Sequence, residues 1–285
     1  MDFSNFPLSG RYYGGSEKKY GILIGDAPYM LKLQKMTAFG KRFNHVSEFI
    51  GCHVFALLGF DAQETYLGSY QGEQVVACKD FIDSGVQFVP FNDVGESSLD
   101  QNKDLYQYTY EDIMQMLLDN SKLTRVEETI HTFWEIYIVD ALLGNFDRHG
   151  SNWGFIKKDN AYSLAPVFDN GSCLYPNMTD EDDMELVIHS VDETRKRVFT
   201  FPTSQIKLQG KKSSYYDVIH SCEFPACNAA LKAVYERLDM SQIYSLIDNT
   251  PLITETHKRF YKHMLGARFG WILKESYDLL MRGSK

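Results

Sequence analysis

Asp140-Ala141-Leu142-Leu143-Gly144-Asn145-Phe146-Asp147-Arg148-His149-Gly150-Ser151-Asn152-Trp153-Gly154-Phe155-Ile156 is the stretch on which the reading of the chain turns. An apolar helix predicted over 126–143, with Ile130, Phe133, Trp134, Tyr137 and Ala141 on its buried face, runs into a loop dense in Asn, Asp, Arg and His. The apolar strand Trp153 to Ile156 leaves that loop. Lys157-Lys158-Asp159-Asn160 turns the chain, and a second strand, Tyr162 to Phe168, ends in Asp169-Asn170-Gly171.

Asp, Asn and Gly make turns routinely, and Asp169-Asn170-Gly171 taken alone is no more than a turn. The combined order of helix, polar loop, hairpin and Asp-x-Gly asks for more. Phosphoryl transfer needs a carboxylate beside the attacking hydroxyl and hard oxygen ligands that hold Mg²⁺ against the phosphates. Asp147 and Asn152 have the Asp-x-x-x-x-Asn spacing of a kinase catalytic loop. Asp147 is the candidate base, and Asn152 and Asp169 are the candidate metal ligands.

Upstream, Tyr12 to Lys19 is a turn containing Gly14 and Gly15. Strands follow at 20–24 and 29–33, and Lys32 points to the face opposite Leu31 and Leu33. A helix over 44–58 places Val46, Phe49, Ile50, His53, Val54, Leu57 and Leu58 on one face. Glu48 lies roughly opposite that stripe, facing a cleft or solvent. A hairpin is predicted at 65–70 and 74–78, around Gln71-Gly72-Glu73. Residues 82–103 are polar and turn-rich, which sets a boundary between an N-lobe, 1–81, and a C-lobe, 82–285. Further helices are expected at 109–120, 214–222, 226–238, 241–247 and 254–281. Asp180-Glu181-Asp182-Asp183 reads as a solvated loop or helix start.

The 285 residues are 44 % hydrophobic and 24 % charged, enough to bury a large core. A net charge of -9 argues against non-specific nucleic-acid binding. Five scattered cysteines argue against a disulfide framework and for a reducing compartment. Cys222 and Cys227 read as free thiols near a helix start, with no second Cys/His pair at ligand spacing. The acidic N-terminus has no apolar signal region, and no apolar run reaches the roughly 20 residues of a membrane span, so a cytoplasmic protein is expected.

Asn145-Phe146-Asp147-Arg148-His149-Gly150-Ser151-Asn152, followed by Ala165-Pro166-Val167-Phe168-Asp169, resembles the signature of the HipA-type serine/threonine kinases. Their catalytic loop reads Asn-x-Asp-Arg-His-x-x-Asn. Within that family the chain is similar to the compact cell-translocating kinase A branch, through Val75 to Phe81, Leu142 to His149, Gly171 to Pro176 and Ile247 to Pro251.

The resemblance implies an α+β, bilobal protein-kinase-like fold with a small strand-rich N-lobe and a larger, mostly helical C-lobe. It implies ATP and Mg²⁺, with Asp147 as base and Asn152 and Asp169 on the metal. His149 and Lys32 would contact the phosphates, the Tyr13-Gly14-Gly15-Ser16-Glu17-Lys18 loop would cover them, and backbone groups of Lys79 and Phe81 would pair with adenine. The expected partner is a Ser/Thr-bearing protein substrate. An antitoxin-type protein follows by analogy with toxin-type relatives; a monomer without direct nucleic-acid or membrane contact is expected. The autophosphorylated Ser of larger relatives falls near Arg11 here, with Ser9 and Ser16 off register, and their extra N-terminal domain is not found in these residues. Two other readings share the features: a small-molecule phosphotransferase of the same fold, and a nucleotide-binding pseudokinase or docking module.

Overall fold

The computed structural model describes residues 1–14, 18–37, 40–82, 85–91, 93, 109–118, 125–159 and 161–283. The N-terminal lobe contains β1 (Lys19–Ile24), β2 (Ala27–Leu33), the short pair β3 (Met36–Thr37) and β4 (Gly40–Lys41), helix α1 (Asn44–Leu57), β5 (Thr65–Tyr70) and β6 (Glu73–Lys79). The four long strands form one antiparallel sheet in the order β1-β2-β6-β5. Gln71 and Gly72 both have positive φ, 52° and 82°, which the two-residue turn joining β5 to β6 requires for its twist to match the strands.

Each strand alternates. One face of the sheet buries Phe3, Ile22, Tyr29, Leu31, Tyr70, Val75 and Ala77 in a small cluster of their own. The other face joins α1 and the main core through Leu67, Val76 and Cys78. Helix α1 is not the one-sided helix its apolar stripe predicts. Asn44, His45, Ser47 and Glu48 are buried too, whereas Leu57 stays 44 % exposed. The helix packs against β5 and β6 on one side and against a helix of the C-lobe, Met240–Asn249, on another, so polar positions are enclosed along with apolar ones.

The C-lobe begins with β7 (Gln87–Pro90), a strand hidden in the turn-rich segment. It pairs with β8 (Gly154–Lys158), which in turn pairs with β9 (Ala161–Leu164). The helices are α2 (Tyr110–Leu118), α3 (Val126–Leu143), α4 (Glu181–His189), α5 (Val191–Arg195), α6 (Tyr215–Ser221), α7 (Pro225–Arg237), α8 (Met240–Asn249), α9 (Glu255–Arg268) and α10 (Glu275–Gly283). Between α5 and α6 lies an unforeseen hairpin, β10 (Thr203–Leu208) and β11 (Lys211–Ser214). The single helix expected over 254–281 is divided by a π-helical turn, Phe269–Lys274. The acidic run resolves as a helix start: the Asp180 side chain accepts from the Asp182 N–H, and three acids in the first turn of α4 complement its dipole. Cys227 is buried in the first turn of α7, and both it and Cys222 are free thiols.

Burial pushes the His45 and His257 imidazoles down to about 4, so both are neutral inside the fold. The unfolded chain takes up those protons near the ordinary histidine value and the folded chain does not. Stability is therefore complete above about 6.5 and falls as pH drops from there towards 4. A series of melting temperatures against pH should show this slope, and His45→Gln should flatten it. An unchanged slope in that variant would remove His45 from the account.

Candidate active site

Helix α3 ends on Gly144, whose left-handed φ of 64° is the usual helix-ending geometry, and its N–H closes back on the Asp140 carbonyl. The chain turns there into the loop that holds Asp147. Side chains within the loop fix its backbone. Asp147 N–H donates to Asn145 Oδ1 at 3.0 Å, and Asn145 Nδ2 donates to Asp140 Oδ1 at 2.9 Å. Asn152 Nδ2 and His149 N–H both donate to the Asp147 carbonyl at 2.8 Å. The Asp147 carboxylate takes none of these bonds and remains 48 % exposed, with His149 Nε2 at 3.9 Å. His149 Nδ1 accepts the Ser151 N–H at 3.2 Å, which places the proton of the neutral ring on Nε2.

Lys32 projects from the middle of β2 and is 8 % exposed. Its Nζ lies 3.0 Å from Glu48 Oε2 and 2.9 Å from Asp169 Oδ1. Burial opposes the Lys32 charge, yet Asp169 and Glu48 outweigh it and hold the ammonium well above its ordinary value. Lys32 in turn holds the Asp169 carboxyl below the usual carboxylate range. The other oxygen of Glu48, Oε1, accepts the Asn170 N–H at 3.1 Å. One glutamate of α1 therefore ties the β2 lysine to the loop that carries Asp169.

Arg148 organises the rest. Its side chain is 8 % exposed, and every one of its five N–H groups is used. Nε and Nη2 grip the two oxygens of Asp140 at 2.9 Å each. Nη2 also reaches Asn170 Oδ1 at 2.5 Å, and Nη1 reaches the carbonyls of Phe168 at 2.6 Å and Asn152 at 3.2 Å. The loops carrying Asp147 and Asp169 are thus bolted to each other and to α3. Burial works against this charge, but Asp140 more than compensates and raises the guanidinium pKa.

Asn170 is fully buried, and Gly51 makes room for it. A Cβ at residue 51 would stand 2.5 Å from Asn170 Cβ and 3.1 Å from its Cγ. Gly51→Ala is expected to cost about 1–3 kcal/mol of overpacking and to move the Asp169 loop. Nucleotide titration should then show weaker binding beside a modest loss of melting temperature. Unchanged affinity would mean that the loop absorbs the methyl elsewhere.

The cleft between the lobes has two connected parts. A polar part of about 480 Å³ is lined by Lys19, Lys32, Lys35, Arg42, Asp147, His149, Asn152 and Asp169 among others. An apolar part of about 440 Å³ lies towards the end of β6, and the two share Met30 and Phe168. Phe81, Phe88 and Phe168 meet there with ring centroids 5.2–6.1 Å apart. Asn152 Oδ1 and the Asp169 carboxylate supply hard oxygen donors in the polar part, a donor set suited to Mg²⁺.

Of the residues singled out from the sequence, Lys32, Asp147, His149, Asn152 and Asp169 come together in the cleft, and Phe81 lines its apolar end. Gly14 accepts from Lys19 Nζ at 2.8 Å, while Gly15, Ser16 and Glu17 lie outside the described residues. The Lys18 ammonium stands 5.0 Å over the Tyr20 ring. Lys19, the first residue of β1, lines the polar part of the cleft. The Lys79 side chain turns out to Glu64 at 2.9 Å. Its N–H is committed to the Glu64 carbonyl and its own carbonyl accepts from Gln63 Nε2, leaving that carbonyl one lone pair. Arg11 Nη1 donates to Asp80 Oδ2 and to the Ile82 carbonyl, each at 2.6 Å, and so fastens the N-terminal segment to the chain after β6.

Sequence reasoning missed Asp140, Arg148 and Asn170 as a framework, and Lys19, Lys35, Arg42, Phe88 and Phe168 as lining. Arg148 lay inside the motif, and a basic residue beside Asp147 and eight residues after Asp140 was the available signal.

This fold and cleft are those of a HipA-like kinase scaffold. The HipA-like C-terminal domain family matches residues 12–236, and the chain belongs to that family. It is similar to the serine/threonine-protein kinase CtkA of Helicobacter pylori (strain J99), with 36 % identity over 262 residues, 90 % of this chain and 80 % of that protein. The crystal structure of a Helicobacter pylori proinflammatory kinase CtkA matches with a TM-score of 0.92 and 32 % identity, covering 100 % of this chain and 99 % of that one. HipA of Shewanella oneidensis MR-1, in its complex with HipB and operator DNA, shares the fold at a TM-score of 0.55 and 11 % identity, covering 96 % of this chain and 65 % of that one.

Proposed function

We propose that the protein is an ATP-dependent serine/threonine protein kinase, with the lobe boundary near residue 81. One observation carries the reading: an exposed, loop-held Asp147 shares a cleft with Asn152 and with the Lys32–Glu48–Asp169 network. The apolar end, closed by Phe81, Phe88 and Phe168, is suited to a purine ring, and the polar end to its phosphates. Asn152 and Asp169 would hold Mg²⁺, which neutralises phosphate charge when bound. Lys32 and Lys19 supply fixed positive charge where negative charge develops. Asp147 orients an incoming Ser or Thr hydroxyl and accepts its proton.

Among the described residues no helix is long and apolar enough to cross a membrane. An antitoxin-type partner rests on likeness of fold to HipA alone. The test is incubation with radiolabelled ATP and Mg²⁺, with and without a generic protein acceptor. Label on Ser or Thr is expected. Label on a small hydroxylated acceptor but never on protein would transfer the reading to a small-molecule phosphotransferase.

A further inference from the structure

The stretch from Thr194 to Tyr216 holds six of the chain's 29 Lys+Arg and none of its 38 Asp+Glu, in a protein of net charge -9. Three of the six are engaged locally. Arg195 lies over the Phe199 and Trp271 rings, and Lys196 and Arg197 pair with Glu193. The other three, Lys207, Lys211 and Lys212, sit on the β10–β11 hairpin and have no acidic partner among the described residues.

Their arrangement runs against sheet stability. Lys207 and Lys212 are directly opposite each other across the hairpin, so two ammonium groups share one face. Like charges in that position are destabilising unless an anion lies between them. Leu208 and Lys211, opposite each other, lie on the other face, and Leu208 packs against the main core, which turns Lys207 and Lys212 away from it.

The hairpin is also bonded to the catalytic loop. Gln205, two residues before Lys207 on β10, donates Nε2 to the Phe146 carbonyl at 2.9 Å. Phe201 leads into β10, is 51 % exposed, and lies 5.4 Å from the Phe146 ring. Tyr215, just after β11, donates its hydroxyl to the Asn145 carbonyl at 2.7 Å. Both ends of the hairpin therefore hold the two residues immediately before Asp147.

We propose that the β10–β11 hairpin is a docking element for an acidic segment of the protein substrate, flanking the Ser or Thr presented to Asp147. This rests on the kinase reading above. The chain as a whole carries a net charge of -9, and apart from the nucleotide cleft with its own lysines this hairpin is where such a segment is attracted. Local attraction within general repulsion gives selectivity and registers the acceptor beside the base.

The probe is a fluorescein-labelled peptide with a single Ser in a run of glutamates, compared with its lysine-flanked counterpart. Anisotropy is read on the full chain carrying Asp147→Asn, so binding is measured without turnover. The acidic peptide should bind more tightly and lose affinity with salt. Lys207→Glu/Lys212→Glu should weaken it about tenfold or more and favour the lysine peptide, with Lys207→Gln/Lys212→Gln in between. Circular dichroism and melting temperature confirm that each variant is folded. Equal binding of both peptides, or affinity unchanged by charge reversal, overturns the proposal. Equally tight and equally reversal-sensitive binding of an oligothymidylate or of phosphatidylserine vesicles also overturns it, in favour of a general polyanion surface. Label transfer from ATP is scored separately on the chain with Asp147 intact. Transfer without charge selectivity sinks the docking element alone, and charge-selective binding without any transfer sinks the kinase reading and the substrate role with it, leaving a surface that binds acidic peptides.

Discussion

Asp147→Asn is expected to bind nucleotide as the parent chain does and to lose about 10²–10⁴-fold in phosphoryl transfer. The substitution keeps size and shape and removes only the ability to take a proton. The contacts that hold the loop come from the Asp147 backbone: its N–H on Asn145, and its carbonyl under Asn152 and His149. None uses the carboxylate, so the loop has no reason to rearrange. Calorimetric titration with ATP and Mg²⁺ beside single-turnover label transfer separates binding from chemistry. A variant that transfers phosphate at the parent rate would remove Asp147 from the role of base. Asp169→Ala should behave differently and weaken nucleotide binding as well, because it also strips Lys32 of one of its two partners.

Arg148→Met is expected to be the most destabilising single change in the site. Among the described residues, it leaves the Asp140 carboxylate, 1 % exposed, with only Asn145 Nδ2 as a side-chain partner, and takes donors from Phe168, Asn152 and Asn170. Removing one partner of a buried pair costs about 3–5 kcal/mol. Urea or thermal denaturation should show a loss of that order, together with loss of transfer. Arg148→Lys should rescue little, because one ammonium cannot reproduce a planar fork that reaches four residues. Combining Arg148→Met with Asp140→Leu should cost less than the two separate losses added, since the second change removes the stranded charge. Strict additivity would show that the two residues do not act as a pair.

The meeting of Asp147, Asn152 and Asp169 in one cleft was legible because their spacing is local. One loop and one hairpin carry all three, and the chain between them has little freedom to separate them. Lys32 was legible for a similar reason, since strand alternation assigns its face. Lys19 was not singled out because strand alternation says which residues share a face, and only the packing of β1 beside the cleft shows which face meets it. Glu48 was ambiguous because an apolar stripe separates core from water and says nothing of a helix enclosed on several sides. β7 was hidden because its strand character comes from pairing with β8, far along the chain, and Phe88 was hidden with it.

By itself, then, the amino-acid sequence determined the family and which residues are gathered: Asp147, Asn152, Asp169 and Lys32, in the order and spacing of a kinase-like site, within a chain long enough for two lobes. Only the tertiary structure decided how those groups are held. The Lys32–Glu48–Asn170 link spans 122 residues between its glutamate and asparagine, and Arg148 joins residues from α3, the Asp147 loop and the Asp169 loop. Such contacts form because buried charges and buried amide groups must find partners once the core excludes water. Which partner each one finds depends on how the elements pack, and no local pattern of residues carries that information.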